Sequence, residues 1–507
     1  MTGLHHATPA SQSQALDLLL YLAEAVPTAE SGRSLHAPRT EHRYQHSSPR
    51  HFPDNARHYP ERRYQAGQRR HLGVRDHDYD WSRPLPAADL PRARALKVII
   101  VSAVFVVLAV TIAITARLSV STVIIAYWTF NAIEIVFCLL TYANSRGYRD
   151  LPIASGRVLA IVPAYNEPTD KLHACVRSLL AQTVPLDRIV VVDDGSAEPV
   201  IPFYHPRVDW VRQANRGKRG AHATALRGFR AADVDFVLTV DSDSTPRPDA
   251  LEHLLRAMSD QSIQAVTGWI WVRNYDESLI ARAADVNIGA SCVMMRSSRS
   301  ALGALETTSG ALALYRGPVL YDNLADYEVE CGTGDDRWLT MRALTRGRVI
   351  GVNAAIVETD MPSDIRGTFN QRLRWARSWW WMLPFVYRRL GWNAIISPTI
   401  GLIQALSAPF LYVWALASWT FGFHHQLAHI WVTLPYVMSF IVVKYALAVL
   451  YLSGRPDMPF GEKAKSLLIG TPVATLMSML LLLPLRYYAL TKLHDKSWRN
   501  RQVKEAS

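Results

Sequence analysis

DFVLTVDSDS, residues 235–244, runs from apolar and β-forming residues straight into two aspartates, Asp241 and Asp243. Such a run, bounded by turn residues, predicts a strand that ends in carboxylates. RVLAIVP (157–163) and RIVVVDD (188–194) repeat the arrangement, the first leading into AYNE and the second into Gly195 and Ser196. Between the three lie stretches of helical periodicity, PTDKLHACVRSLLAQ (168–182) and KRGAHATALRGFRAA (218–232). Strands alternating with helices predict a parallel α/β sheet. Ligands of such sheets bind at the carboxyl ends of the strands, and the acids stand there.

Outward from this segment the chain turns apolar. VIIVSAVFVVLAVTIAITA (98–116) is uncharged and long enough to cross a bilayer, and LSVSTVIIAYWTFNAIEIVFCLLTYA (118–143) crosses back. Arg92, Arg94, Lys97, Arg146 and Arg149 flank the pair on one side, which places that side in the cytosol. Further spans are expected near 394–421 and 429–452. SLLIGTPVATLMSMLLLLPL (466–485) is interrupted by Pro472 and Pro484 and followed by a basic tail, so a re-entrant or interfacial segment is expected. Glu134 and Lys444 fall inside apolar runs, where ionisable groups pair or line an aqueous path. The expectation is a multi-pass plasma-membrane protein with both termini cytosolic.

The chain has 507 residues and a formal charge of +12, with Arg and His crowded into residues 33–94. That segment has too little apolar surface to offset its ordering entropy, so residues 1–94 are expected to be a disordered basic tail. Its simplest partner is an anionic lipid leaflet, and no nucleic-acid partner is expected. The four cysteines, Cys138, Cys175, Cys292 and Cys331, lie far apart without metal-ligand spacing, so no disulfide framework or zinc site is implied and a reduced compartment fits. The expected segments are the tail (1–94), two spans (95–149), a catalytic domain (150–362), interfacial helices (363–393), further apolar helices (394–490) and a cytosolic loop (491–507).

Asp241 and Asp243 are hard oxygen ligands suited to Mg²⁺ or Mn²⁺ shared with substrate phosphates, although aspartate is also ordinary turn chemistry. NRGKRGA (215–221) opens a helix with Lys218 and Arg219, where N–H groups and cations favour phosphate. GDDR (334–337) either caps the helix that follows or supplies a carboxylate base; the two are compatible. In NQRLRWARSWWWML (370–383), Gln371 and Arg374 are one helical turn apart, and Trp379, Trp380 and Trp381 are expected as interfacial anchors.

Taken in order, YNE, DDGS, DSDS, TSGALALYR (308–316), GDDR and Q-x-x-R-W resemble the membrane-integrated processive glycosyltransferases of family 2. Hyaluronan synthases are the nearest in pattern, with chitin, chito-oligosaccharide and cellulose synthases as cousins, over roughly residues 97–505. The resemblance implies a cytosolic GT-A (nucleotide-diphospho-sugar transferase) domain inserted between transmembrane helices, UDP-sugar donors, Mg²⁺ or Mn²⁺, and inversion at the anomeric carbon. It puts Tyr165, Glu167, Asp193 and Asp194 on the nucleotide, and Lys218 and Arg219 on the donor phosphates. Asp243, with Asp241, meets the metal; Asp336 is the base, with Asp335 and Arg337 beside it. Gln371 and Arg374 face the leaving diphosphate, and Trp375 the acceptor sugar. Trp498 and Arg501 match a gating loop, with Arg499 and Asn500 replacing the usual Gly-Thr. The implied partners are UDP-sugars, a growing polysaccharide, the bilayer and a second copy of the chain. The implied product is hyaluronan from UDP-GlcNAc and UDP-GlcA, or else a chitin-like polymer from UDP-GlcNAc. The reading of another class is an inactive membrane scaffold.

Overall fold

The computed structural model describes residues 57–58, 122–144, 148–332, 334–420 and 441–493. The expected span at 98–116, the tail other than residues 57–58, and the loop carrying Trp498 and Arg501 lie outside the described residues. The chain divides between residues 49 and 50; the first unit is wholly undescribed, and the fold below is that of the second.

Nine strands are described: β1 (Arg57–His58), β2 (Val158–Ala164), β3 (Arg188–Asp193), β4 (Val208–Arg212), β5 (Phe236–Thr239), β6 (Thr245–Pro246), β7 (Ile263–Val272), β8 (Ala313–Arg316) and β9 (Arg348–Thr359). They form one sheet in the order β1-β4-β3-β2-β5-β8-β7-β9-β6. The block β4-β3-β2-β5 is parallel, as the strand–helix alternation predicts. The expectation of an all-parallel sheet fails beyond it: β8 runs antiparallel to both β5 and β7, and β6 antiparallel to β9. Alternation fixes direction only for strands joined by helical crossovers, and β6 to β9 lie outside that run.

Both faces of the parallel block are covered, which is why its strands are nearly continuous apolar runs. Along β2, Val158, Ala160 and Val162 face a core shared with the helices Thr169–Leu180 and Ala250–Ala257. Leu159 and Ile161 face the opposite core, shared with the helices Gly217–Arg227 and Asp335–Leu344. This two-residue alternation carries the helix that opens with GDDR onto the face that also holds Lys218.

The apolar helices are Thr122–Asn144, Trp392–Thr420, Ile441–Ser453 and the run Phe460–Lys492. Among the described residues the last, 33 residues long, is apolar and long enough to cross a membrane. It does not break at Pro472 and Pro484, as the sequence suggests it should. A π-turn precedes each proline-bearing segment, at Ser466–Gly470 and Ser478–Leu482, and the wider turn accommodates the ring.

Candidate active site

The ends of β2, β3 and β5 are tied together by side chains that the sequence places just past each strand. Asn166 takes a left-handed φ of 49°. In that turn its N–H donates to Ser196 Oγ at 2.9 Å, and its Oδ1 accepts from Ala197 N at 2.8 Å. Glu167 accepts from Ser242 Oγ at 3.1 Å, which joins the first strand end to the third. Asp193 is buried, and its carboxylate accepts from Ser196 N (2.9 Å), Arg212 Nη1 (2.7 Å) and Val200 N (3.3 Å). It fastens the turn, and the structure does not bring it to the crevice. Asp194 Oδ1 accepts from Gln213 Nε2 at 2.6 Å and from Arg216 N at 2.8 Å. Burial pushes the Asp194 carboxyl up, against those two donors. Gly195 has φ 76°, and a Cβ there would lie 2.7 Å from Asn215 N, so glycine is required.

Lys218 is the centre of the crevice. Its Nζ stands 2.7 Å from Asp241 Oδ1 and 3.1 Å from Asp335 Oδ2, so it joins the DSDS and GDDR segments. Burial alone would lower the Lys218 ammonium; the Asp241 and Asp335 carboxylates outweigh burial and hold it far above its ordinary value. Burial likewise raises Asp335, but Lys218 offsets that and keeps the carboxyl below the usual range. Among the described residues Asp336 has no such cation in contact. Burial first, and then the charge of Asp335, push it up to about 6. Gly334 precedes the pair with φ 96°.

Several residues around this centre add to those expected at the site. Gly310 brings backbone against the cluster: a Cβ there would lie 2.8 Å from Asp241 Oδ2 and 3.0 Å from Lys218 Nζ. His222, one turn beyond Lys218, is buried with Nδ1 on Tyr327 Oη at 2.8 Å. Burial, then Lys218, lowers that imidazole to about 4, so it is neutral at physiological pH. Arg273 Nη2 donates to the Asp243 carbonyl at 2.8 Å, and Asp243 Oδ1 accepts from Ser244 Oγ and Thr359 Oγ1, each at 3.3 Å. Arg219 departs from its expected place on the phosphates: its Nη1 donates to the Cys331 carbonyl and ties down the segment before Gly334.

The helix Ile365–Arg389 delivers the Q-x-x-R-W residues. Asp364 caps it by accepting from Gly367 N at 2.8 Å. Ser378 packs against Gly334, where a Cβ would lie 2.5 Å from Ser378 Cβ. The tryptophans that follow, expected as interfacial anchors, are half-buried and each packs on protein. Trp379 Nε1 donates to Glu306 Oε2 at 3.2 Å, Trp380 Nε1 donates to the Arg486 carbonyl at 2.8 Å, and Trp381 lies over Gly332. An indole N–H that leaves water takes a protein partner when one is in reach. Gln371 Nε2 is 3.6 Å from Met361 Sδ, Arg374 is half-buried, and Trp375 is 40% exposed.

Glu306, which no motif marks, is buried where four elements meet. Arg299 Nη2 (2.9 Å), Ser397 Oγ (2.5 Å), Trp379 Nε1 (3.2 Å) and Arg337 Nη1 (3.8 Å) all converge on its carboxylate. Burial raises its carboxyl, and Arg299 and Arg337 more than offset that. Arg337 therefore turns toward Glu306. Of the ionisable groups in apolar runs, Glu134 accepts from Gln404 Nε2 at 2.6 Å, and Lys444 is half-buried on Ile441–Ser453.

The model of the family "Glycosyl transferase family 2" matches residues 159–322, from the start of β2 to just past β8. A hyaluronan synthase of Streptococcus pyogenes is 29% identical over 364 residues, 68% of this chain and 83% of that one. An N-acetylglucosaminyltransferase of a Rhizobium species is 30% identical over 366 residues, covering 68% and 76%. Another, of Sinorhizobium fredii, is 31% identical over 369 residues, covering 67% and 83%. With relatives at this identity aligned over most of their length, and with the acid-ended strands of a GT-A sheet, the chain belongs to glycosyl transferase family 2 and is an inverting glycosyltransferase that acts on UDP-sugars.

Proposed function

We propose that this enzyme is a processive synthase that extends a β-linked polysaccharide beside a membrane and feeds it between its apolar helices. Hyaluronan, from UDP-GlcNAc and UDP-GlcA, is the product it fits best. The observation that carries this reading is the junction of three motifs: Lys218 bridges Asp241 and Asp335, and the helix of Q-x-x-R-W packs on Gly334 next to Asp336.

In this reading Tyr165, Glu167 and Asp194 hold the uridine, and Lys218 meets the diphosphate. The acceptor hydroxyl oxygen attacks the anomeric carbon as the bond to the diphosphate breaks, and its proton passes to Asp336. A carboxylate raised to about 6 is ionised at neutral pH yet basic enough for that transfer. Charge develops on the departing UDP, where Arg374 and Gln371 meet it. Trp375 offers its exposed face to the acceptor ring.

Asp241 and Asp243 are the residues that would hold Mg²⁺ or Mn²⁺. Among the described residues no cluster of three His, Cys, Asp or Glu side chains could hold an ion alone. The Asp241 carboxylate, against the open backbone of Gly310, and Asp243 two residues on fit an ion that keeps phosphate oxygens and water as its other ligands. When bound, such an ion neutralises the leaving diphosphate.

The membrane placement is supported by the run Phe460–Lys492. One side is pinned to the catalytic domain along its length: Arg282 to Glu462 (2.7 Å), Asn287 to Ser478 (2.8 Å), and Trp380 to the Arg486 carbonyl (2.8 Å). The other side exposes Leu468, Ile469, Leu476 and Leu480. A helix so divided lies in the bilayer surface, which keeps the carboxyl terminus cytosolic.

The N-acetylglucosaminyltransferase relatives favour a second reading, a polymer of GlcNAc alone. Purified protein in lipid, given Mn²⁺ and labelled UDP-GlcNAc with and without UDP-GlcA, tests both. Long product only with both sugars is expected. Product from UDP-GlcNAc alone selects the second reading, and no product under either condition removes the synthase. Asp336→Asn is expected to abolish elongation and keep UDP binding.

A further inference from the structure

Arg372 is a cation that the protein buries with no counter-charge among the described residues. It occupies a variable place within Q-x-x-R-W and is 9% exposed. Its Nε and Nη2 have no hydrogen-bond partner among the described residues. Its described contact is with Trp375, whose ring centroid lies 4.3 Å from the guanidinium carbon. One turn earlier Thr368, 1% exposed, leaves its Oγ1 unbonded as well. Thr368, Arg372 and Trp375 follow one another at i, i+4 and i+7, so they share a helix face.

Buried polar groups in folded proteins are nearly always bonded, and a buried charge is costly unless paired. Burial alone lowers the Arg372 guanidinium to about 10, with no carboxylate acting to raise it. What is missing is an anion. The two unbonded nitrogens, Nε and Nη2, form a single edge of the guanidinium, and that edge accepts both oxygens of a carboxylate through parallel N–H···O bonds.

Position decides which anion. Ser378 marks where this helix meets Gly334 at the head of the base-bearing helix. Arg372 is six residues earlier, about 9 Å along the axis at 1.5 Å per residue, and Trp375 stands between. The diphosphate has its own cation at the strand ends in Lys218, whereas Arg372 lies beyond Trp375. We propose that Arg372, helped by the Thr368 hydroxyl, binds the carboxylate of a uronic acid residue in the acceptor chain whose ring rests on Trp375. This rests on the acceptor reading of Trp375 given above, and it names the acceptor class: an acidic glycan end.

The test uses the full chain in lipid, with UDP-GlcNAc as sole donor and an oligosaccharide ending in glucuronate as acceptor. Arg372→Gln is expected to lower kcat/KM for this acceptor about tenfold or more, through KM. UDP affinity and the acceptor-free hydrolysis of UDP-GlcNAc stay unchanged, which also shows that the variant is folded; Arg372→Lys recovers part of the loss. Unchanged acceptor kinetics in Arg372→Gln overturn the proposal. So does a parallel fall in UDP affinity, which would make Arg372 a diphosphate ligand. A wild-type enzyme that extends a neutral chito-oligosaccharide and ignores the glucuronate-ended one sinks the hyaluronan reading itself, and the carboxylate site with it.

Discussion

Asp335 and Asp336 are adjacent, yet their surroundings separate them. Lys218 holds the first carboxyl low, while burial and its neighbour's charge raise the second to about 6. A base must be unprotonated to accept a proton, so kcat/KM should fall about tenfold per pH unit below about 6 and level off above it. Asp335→Asn removes the like charge and should move that limb to lower pH, though not to the ordinary carboxylate value, because burial is the larger cause. A limb unmoved by Asp335→Asn would detach Asp336 from the rate. Asp194, Asp241 and Asp243 were legible in the sequence because each ends an apolar run, and Asp335 and Asp336 because they stand in GDDR. Arg273 and Glu306 were not, and Gly310 was legible only as part of TSGALALYR. Each acts through a close approach to a residue far along the chain, and such a pairing leaves no local pattern.

Among the elements, the helix Asp335–Leu344 depends on what precedes it. Gly334 holds φ 96° against Ser378 of the helix Ile365–Arg389. Gly334→Ala adds a Cβ that is both in left-handed backbone and in collision with Ser378, a strain of about 1–3 kcal/mol. Elongation is expected to drop about tenfold or more with UDP affinity kept, since Tyr165, Glu167 and Asp194 stand just past β2 and β3. Equal activity in the variant would show that the two helices need not touch. The strands β2, β3 and β5 were legible as compact apolar runs with turn residues after them. β7 and β9 were harder to see because their pairing shifts register between Thr267 and Trp269, which breaks the alternation. The protein partners of Trp379 and Trp380, Glu306 and the Arg486 carbonyl, were not legible because they are distant in sequence.

For the whole molecule, the arrangement of the Phe460–Lys492 run predicts topology. In inside-out vesicles a tag after Ser507 should be digested by added protease, and the protein should resist extraction by alkaline carbonate. A protected tag would mean that the run crosses the bilayer, as its length and composition permit. The sequence showed where apolar stretches lie, but not which face of each is taken by protein. That is settled by contacts such as Asn287 with Ser478, which no periodicity encodes.

Glu306 gathers Arg299, Arg337, Ser397 and Trp379 onto one carboxylate. Ser397 belongs to the apolar helix Trp392–Thr420, and Arg337 is the next residue after Asp336. In the membrane-bound reading proposed above, a change in lipid thickness that tilts this helix would displace the neighbour of Asp336. Turnover in reconstituted vesicles is then expected to vary with acyl-chain length, and a flat response would uncouple Glu306 from the site.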